Sequence, residues 1–269
     1  MSLVINTNVA ALNAQRNLQQ TENKLGMSME ELSSGLRINS AANDVAGYSI
    51  SQELEGQIGG LNQAYQNTQS AVALTQTAQG ALNDAANILQ KVRSLAVEYE
   101  NGSNSTASKE AIASEAEKLV SEVERVGETT KFNGVKLLEG EEAIKFQVGA
   151  DEKETVEVKG GEIKSLVSGI VSEIEAGEGA GIKKVEEAIA GVSKNAAEFG
   201  AVQDRLQYIQ SNQEIFSQNL AAANSSIKDV NMAEAMSNFT QEQILQQAGV
   251  AVLSQANSSP QAVLKLLGG

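Results

Sequence analysis

Apolar residues recurring every seven positions constrain this chain more than any other feature. Leu54, Leu61, Thr68, Thr75, Leu82, Leu89 and Ala96 form one series, and Ala64, Ala71, Ala78, Ala85 and Val92 sit three residues after members of it. A sustained 3.5-residue repeat keeps one narrow stripe turned towards a partner helix, so this segment predicts a long α-helix with a coiled-coil seam. The alanines imply a close approach of the partner. At 1.5 Å per residue, residues 48–99 predict a rod of about 75 Å. A second series mirrors the first: Val185, Val192, Phe199, Leu206, Gln213, Leu220 and Ile227, with Val202, Ile209, Phe216, Ala223 and Val230 in the companion positions. Two seams of similar length with a compact stretch between them should fold back and pair antiparallel.

The remaining segments are shorter. Val4, Ala11, Leu18, Leu25 and Leu32 recur by sevens and predict a first helix over 4–32. SSGLRINSAAND (33–44) breaks the pattern with Gly35, serines and asparagines and predicts a non-helical connector. Gly59-Gly60 lies within the long helix and suggests close packing or a mild kink. A third helix is expected over 109–129, with Ser108 as its N-cap. Asn133-Gly134 is a turn signal, and Ile144, Phe146, Val148, Val156 and Val158 alternate with polar residues around DEKET, so residues 130–160 predict β-hairpin structure. Residues 159–181 are rich in Gly and Glu and give no firm pattern. A last helix is expected over 231–257, apolar on more than one side through Phe239, Ile244, Leu245, Val250, Val252 and Leu253. Ser259-Pro260 would restart a short turn leading into the apolar VLKLL, which holds Leu264. The predicted fold class is mainly α: a long antiparallel coiled-coil-like helical bundle with a small β-hairpin region.

Composition narrows the function. The chain has 269 residues and no His, Cys or Trp. Without His the commonest general base is missing, and without His and Cys there is no ordinary zinc, copper or haem site. No cofactor is expected. A net charge of −14 argues against nucleic-acid binding, which needs a basic footprint. The charge is uneven: residues 98–187 hold 21 acidic and 11 basic side chains, whereas residues 1–40 balance to zero. The middle is suited to face water and the ends to face protein. MSLVINTNVAALNAQ lacks a basic region followed by a long apolar stretch, so no cleaved leader is expected, and no run of 18 apolar residues predicts membrane insertion.

The terminal helices are therefore nearly uncharged and over-hydrophobic for isolated helices. Self-association would bury them, and a head-to-tail contact that does not close into a ring produces a filament. A partner-specific structural protein of the same architecture is the alternative. An unrelated coiled-coil scaffold would need neither the hairpin nor the apolar ends, and an enzyme is the weakest option.

Four long motifs, VINTNVAALNAQRNL, LSSGLRINSAANDVAGYSIS, TTKFNGVKLL and QILQQAGVAVLSQANSSPQAVLKLL, resemble bacterial flagellin in order and spacing. The resemblance covers about 1–150 and 182–269. It implies a structural subunit of the flagellar filament, used for swimming motility, exported unfolded through the flagellar type III channel and assembled at the distal tip. The location implied is extracellular. The implied layout is an inner-tube helix and spoke at 1–44, a helical core at 45–181 with the hairpin at 130–160, the rest of that core at 182–230, and a second inner-tube helix at 231–269. N- and C-terminal helices would pair to form the inner filament layer. Val4, Leu18, Leu25, Leu32, Phe239, Leu245, Val252 and Leu264 would serve assembly, and Arg37 and Asn39 the spoke. Leu54, Leu61, Leu82, Leu89, Val185, Val192, Phe199, Leu206 and Leu220 would line the core seam. Implied partners are further copies of the chain, a flagellin export chaperone, the filament cap and hook–filament junction proteins. A host Toll-like receptor contact is implied on Leu89, Lys91, Arg93, Leu95 and Glu115. Lys91 stands where the family usually has Arg and lacks the planar fork, which implies weaker binding. Residues 160–181 are too few for the variable outer domain of many flagellins, so a short form is expected.

Overall fold

The structure is a computed structural model describing residues 7–140, 143–177 and 179–267, with side chains described as far as Ser259. Val4 lies outside the described residues, as does the side chain of Leu264. In chain order the elements are α1 (Val9–Ser34), α2 (Val45–Tyr99), α3 (Thr106–Thr129), β1 (Lys131–Phe132), β2 (Val135–Lys136), β3 (Ala143–Gln147), β4 (Thr155–Lys159), α4 (Ile163–Val167), α5 (Ile170–Ala176), α6 (Ala180–Lys228) and α7 (Met232–Leu267).

They group into two compact units, residues 1–56 with 219–269 and residues 57–218. The division falls inside α2 and α6 rather than at the loops the sequence suggests. The cause is the connector, whose backbone is hydrogen-bonded to the end of α6 and so binds that end to the terminal helices. Arg37 N–H donates to the Lys228 carbonyl at 2.7 Å, and Val230 N–H donates to that of Gly35 at 3.0 Å.

In the terminal unit α1 and α7 run antiparallel. α1 starts at Val9, because the Asn8 side chain accepts from Ala11 N–H at 3.0 Å and sets the N-cap there; the expected start at residue 4 lies outside the described residues. It stops at Gly35, whose φ of 73° is a left-handed C-cap that returns its N–H to the Glu31 carbonyl. α7 continues through Pro260 to Leu267 as one helix where the sequence suggests a restart. A proline removes one backbone donor, which a helix of 36 residues can lose without ending.

The second unit holds the main core. Leu74, Ala78, Leu82, Ala85, Leu89 and Val92 of α2 pack with Val185, Ala188, Val192 and Phe199 of α6 and with Ala116, Val120 and Val123 of α3. The two seams meet antiparallel: Arg93 pairs with Glu186, and Gln213 reaches Thr68. Truncating a leucine such as Leu82 or Leu89 in such a core costs about 2–5 kcal/mol. Two antiparallel hairpins close one side. In the first, Asn133 (φ 48°) and Gly134 (φ 84°) both adopt positive φ, the geometry of a tight two-residue turn. In the second, β3 pairs with β4 in a register that sets Phe146 opposite Val156 and Ile144 opposite Val158. The α3 cap is Ser105, not Ser108; the Ser105 hydroxyl oxygen accepts from Ser108 N–H at 3.2 Å, which draws Ser108 into the first turn. Within 159–181, Ile163–Val167 and Ile170–Ala176 form the short helices α4 and α5. Ile163, Val167, Ile170 and Ile174 are buried on α4 and α5 and join the main core.

Candidate assembly surfaces

Heptad positions decide which faces of α1 and α7 remain available. Ala11, Ala14, Leu18, Thr21, Leu25, Ser28 and Leu32 of α1 turn inward, towards Ala235, Phe239, Glu242, Gln246, Gly249, Leu253 and Ala256 of α7. Both sets step by threes and fours, so the pair is a short two-helix seam. Three contacts fix its register. Asn8 donates to the Ala256 carbonyl at 2.8 Å, Ser28 donates to the Glu242 carboxylate at 2.8 Å, and a Cβ on Gly249 would lie 3.2 Å from Leu18 Cδ1.

The seam takes only part of the apolar surface. Leu18, Leu25, Leu32 and Phe239 are half-buried in it, but Leu245 and Val252 lie outside it and are exposed. Ile244 and Val250 are exposed as well, as are Val9 and Leu12. A helix that is apolar beyond its paired stripe has surface left for further protein.

The connector is built around Ile38, which is buried while its flanking polar residues reach out. The Arg37 guanidinium donates to the Ile227 carbonyl. Asn39 donates to the Glu30 carboxylate at 2.6 Å. Lys228 meets Glu55 at 2.5 Å, and its hydrogen bond holds the Glu55 carboxyl below the ordinary glutamate value of 4.5. Leu54 and Leu220, expected in the core seam, are half-buried in this same terminal unit. The other predicted seam residues, Leu61, Leu82, Leu89, Val185, Val192, Phe199 and Leu206, are buried in the second unit.

On the second unit, Lys91 of α2 and Glu115 of α3 face each other across the surface at 3.9 Å. Arg93 instead turns to Glu186 of α6 at 2.7 Å. Leu89 is wholly enclosed in the core and offers no surface to a partner, and Leu95 is nearly so. The five residues implied for receptor contact therefore do not form one exposed patch: the heptad that carries Leu89 points it inward.

Sequence reasoning read the far half of α6 as seam and did not single out its exposed face. Tyr208 and Ile215, seven residues apart, are exposed on one face, and Phe216 is exposed although it continues the companion series. Phe216 lines an open groove of about 510 Å³ with Leu61, Gly149, Ala150, Ile209 and Gln213. The buried Gln213 amide donates to the Val148 carbonyl and to Thr68 Oγ1, while Asn67 donates to the Gln147 carbonyl at 3.1 Å. These polar seam residues hold the tip of the second hairpin. Gly60 lies under that tip, where a Cβ would come to 3.0 Å from Ala150, so it marks a close approach.

Among the described residues no helix is long and apolar enough to cross a membrane, and no group of three metal-ligating side chains occurs. Residues 5–143 match the bacterial flagellin N-terminal helical region, and residues 182–267 match the bacterial flagellin C-terminal helical region. The flagellin of Halalkalibacterium halodurans is 41% identical, over 98% of this chain and 100% of that one. The flagellin of Bacillus subtilis is 38% identical, over 98% of this chain and 99% of that one. The flagellar filament 33 kDa core protein of Treponema phagedenis is 35% identical over 98% and 100%. Among solved structures, Bacillus cereus flagellin aligns with a TM-score of 0.50 and 28% identity, over 55% of this chain and 88% of that one. A putative flagellar hook-associated protein from Vibrio parahaemolyticus aligns with a TM-score of 0.60 over 70% of this chain and 100% of that one, but at 12% identity it shares the fold alone. With both terminal regions matched and relatives of this identity spanning almost the whole chain, the chain belongs to the bacterial flagellin family, in the short form that carries only the core regions.

Proposed function

We propose that the α1–α7 pair is the assembly element of this subunit, and that its apolar flanks, not its internal seam, contact neighbouring copies. As a flagellin the protein is a structural subunit that polymerises into the flagellar filament, not an enzyme. The observation that carries the finer reading is the exposure of Ile244, Leu245, Val250 and Val252 on a helix whose seam is already filled. On this reading the terminal helices line the inner layer of the filament, and Arg37 and Asn39 brace the connector that serves as the spoke. Export in an unfolded state, assembly at the distal tip, a chaperone on the C-terminal region, and cap and hook-junction contacts complete the proposal. They suit terminal helices with more apolar surface than one pair can bury.

The test is a double substitution, Leu245→Asp with Val252→Asp, followed by seeded polymerisation and negative-stain microscopy. Both side chains are exposed, so the helical circular dichroism of the monomer should persist while filaments are lost. Filaments at the wild-type protein concentration would sink the assignment of assembly to these flanks.

The receptor contact belongs to the same proposal in a narrower form, on Lys91, Arg93 and Glu115 with Leu89 acting only as support from within. Binding of a soluble receptor ectodomain should weaken in Lys91→Ala. Unchanged binding removes the α2–α3 surface from consideration.

A further inference from the structure

The sequence contains five methionines, and the four that the structure describes all lie in the terminal unit. Met27 is 50% exposed, Met29 55%, Met232 50% and Met236 50%. That is an unusual use of the residue. Methionine normally fills irregular gaps in cores, yet the described core of the second unit contains none. The four are also collected at one end of the helix pair. Met27 and Met29 occupy the last turns of α1 and Met232 and Met236 the first turns of α7; the register that sets Ser28 opposite Glu242 puts both pairs at the same end of the helix pair, about one to three helical turns apart along it.

We infer that Met27, Met29, Met232 and Met236 form an oxidation site, and that their conversion to sulfoxides by hydrogen peroxide or a similar two-electron oxidant blocks the subunit from joining a filament. The inference rests on the proposed assembly role of the α1–α7 pair. In the reaction a sulfur lone pair attacks one peroxide oxygen, the O–O bond breaks, an S=O bond forms and the second oxygen leaves as water. Sulfur is oxidised by two electrons and the peroxide is reduced. Each step replaces a flexible apolar thioether with a polar acceptor. On the surface of a monomer water satisfies that acceptor, so the folded subunit tolerates it. In a contact between copies it would be desolvated without a partner. Exposure makes the monomer the vulnerable form, and assembly would protect the same sulfurs.

The experiment uses the full chain. Monomer and preformed filament are treated in parallel with hydrogen peroxide, and the added mass, about 16 Da per oxygen, is mapped to peptides. The monomer should gain oxygen at all four positions and need a roughly tenfold or higher concentration to polymerise, while filaments should resist oxidation there. A variant with Met27, Met29, Met232 and Met236 all changed to Leu should polymerise and remain competent after peroxide. Should that variant fail to assemble, treatment of the oxidised wild type with methionine sulfoxide reductases A and B decides the matter by restoring polymerisation or not. Oxidised wild type that polymerises normally, or oxidised protein that stays inactive after its sulfoxides are reduced, would overturn the inference. Untreated wild type that forms no filament would instead overturn the assembly reading on which it rests.

Discussion

Glu55 and Lys228 show how little a single ion pair contributes and how it can still be measured. Their 2.5 Å contact joins the start of α2 to the end of α6, with Gln52 donating to the same carboxylate at 3.2 Å. The pair is partly exposed, so its net worth is below about 1 kcal/mol. The folded Glu55 carboxyl titrates below its unfolded counterpart. Its contribution is therefore complete above the ordinary value of 4.5 and disappears as pH falls through the lowered folded value. Glu55→Gln should remove that part of the acid sensitivity while leaving stability at neutral pH within about 1 kcal/mol of wild type. Denaturant titrations of both proteins from neutral pH downward measure it; parallel curves over the whole range would show that the contact adds nothing. Other residues were legible in kind but not in role. Thr68, Thr75 and Gln213 are visible in sequence as polar members of an apolar series, and all three are buried. That Gln213 holds the Val148 carbonyl depends on a hairpin arriving from 65 residues away, which no local pattern records. Leu89 was assigned twice, to the seam by its period and to a receptor face by resemblance, and only the first placement suits its burial.

At the level of elements, period was the dependable signal and cap position the weak one. Both long helices and the hairpin region announce themselves because a seam or an alternation must repeat to bury a stripe. Helix ends depend on which of several polar residues wins the first-turn donors, so Ser105 displaced Ser108 in α3 and Asn8 set the start of α1. The segment 159–181 was obscured by its Gly and Glu content. Yet Ile163, Val167, Ile170 and Ile174 step by four, three and four, the spacing of one helical face. Gly169, with φ of 79°, interrupts that face and divides it into α4 and α5. The pattern was present, but two helices of 5 and 7 residues are too short for a periodicity window to separate from chance.

For the whole molecule, the consequence of two compact units is that folding of the second should not require the first. Residues 57–218 enclose their own core, with leucines, valines and isoleucines from α2 to α6 buried among themselves. Within the terminal unit α1 and α7 rely on one two-helix seam, and the apolar side chains on their flanks have nothing to cover them within the described residues. A seam of that size gives a helix pair little independent stability, so partners of the same kind should supply much of it. Deleting residues 232–269 removes α7 and with it the covering of Leu18, Leu25 and Leu32. The truncated chain should remain a soluble monomer with strong helical circular dichroism and a cooperative thermal transition from the second unit. α1 should lose its protection from proteases, and no polymer should form at any concentration that assembles the full chain. Sedimentation velocity, limited proteolysis and negative-stain microscopy read these three properties separately. Loss of the cooperative transition would mean that the second core depends on the terminal helices. Normal filaments from the truncated chain would mean that assembly resides in the second unit, whose exposed Tyr208, Ile215 and Phe216 would then be the first residues to replace.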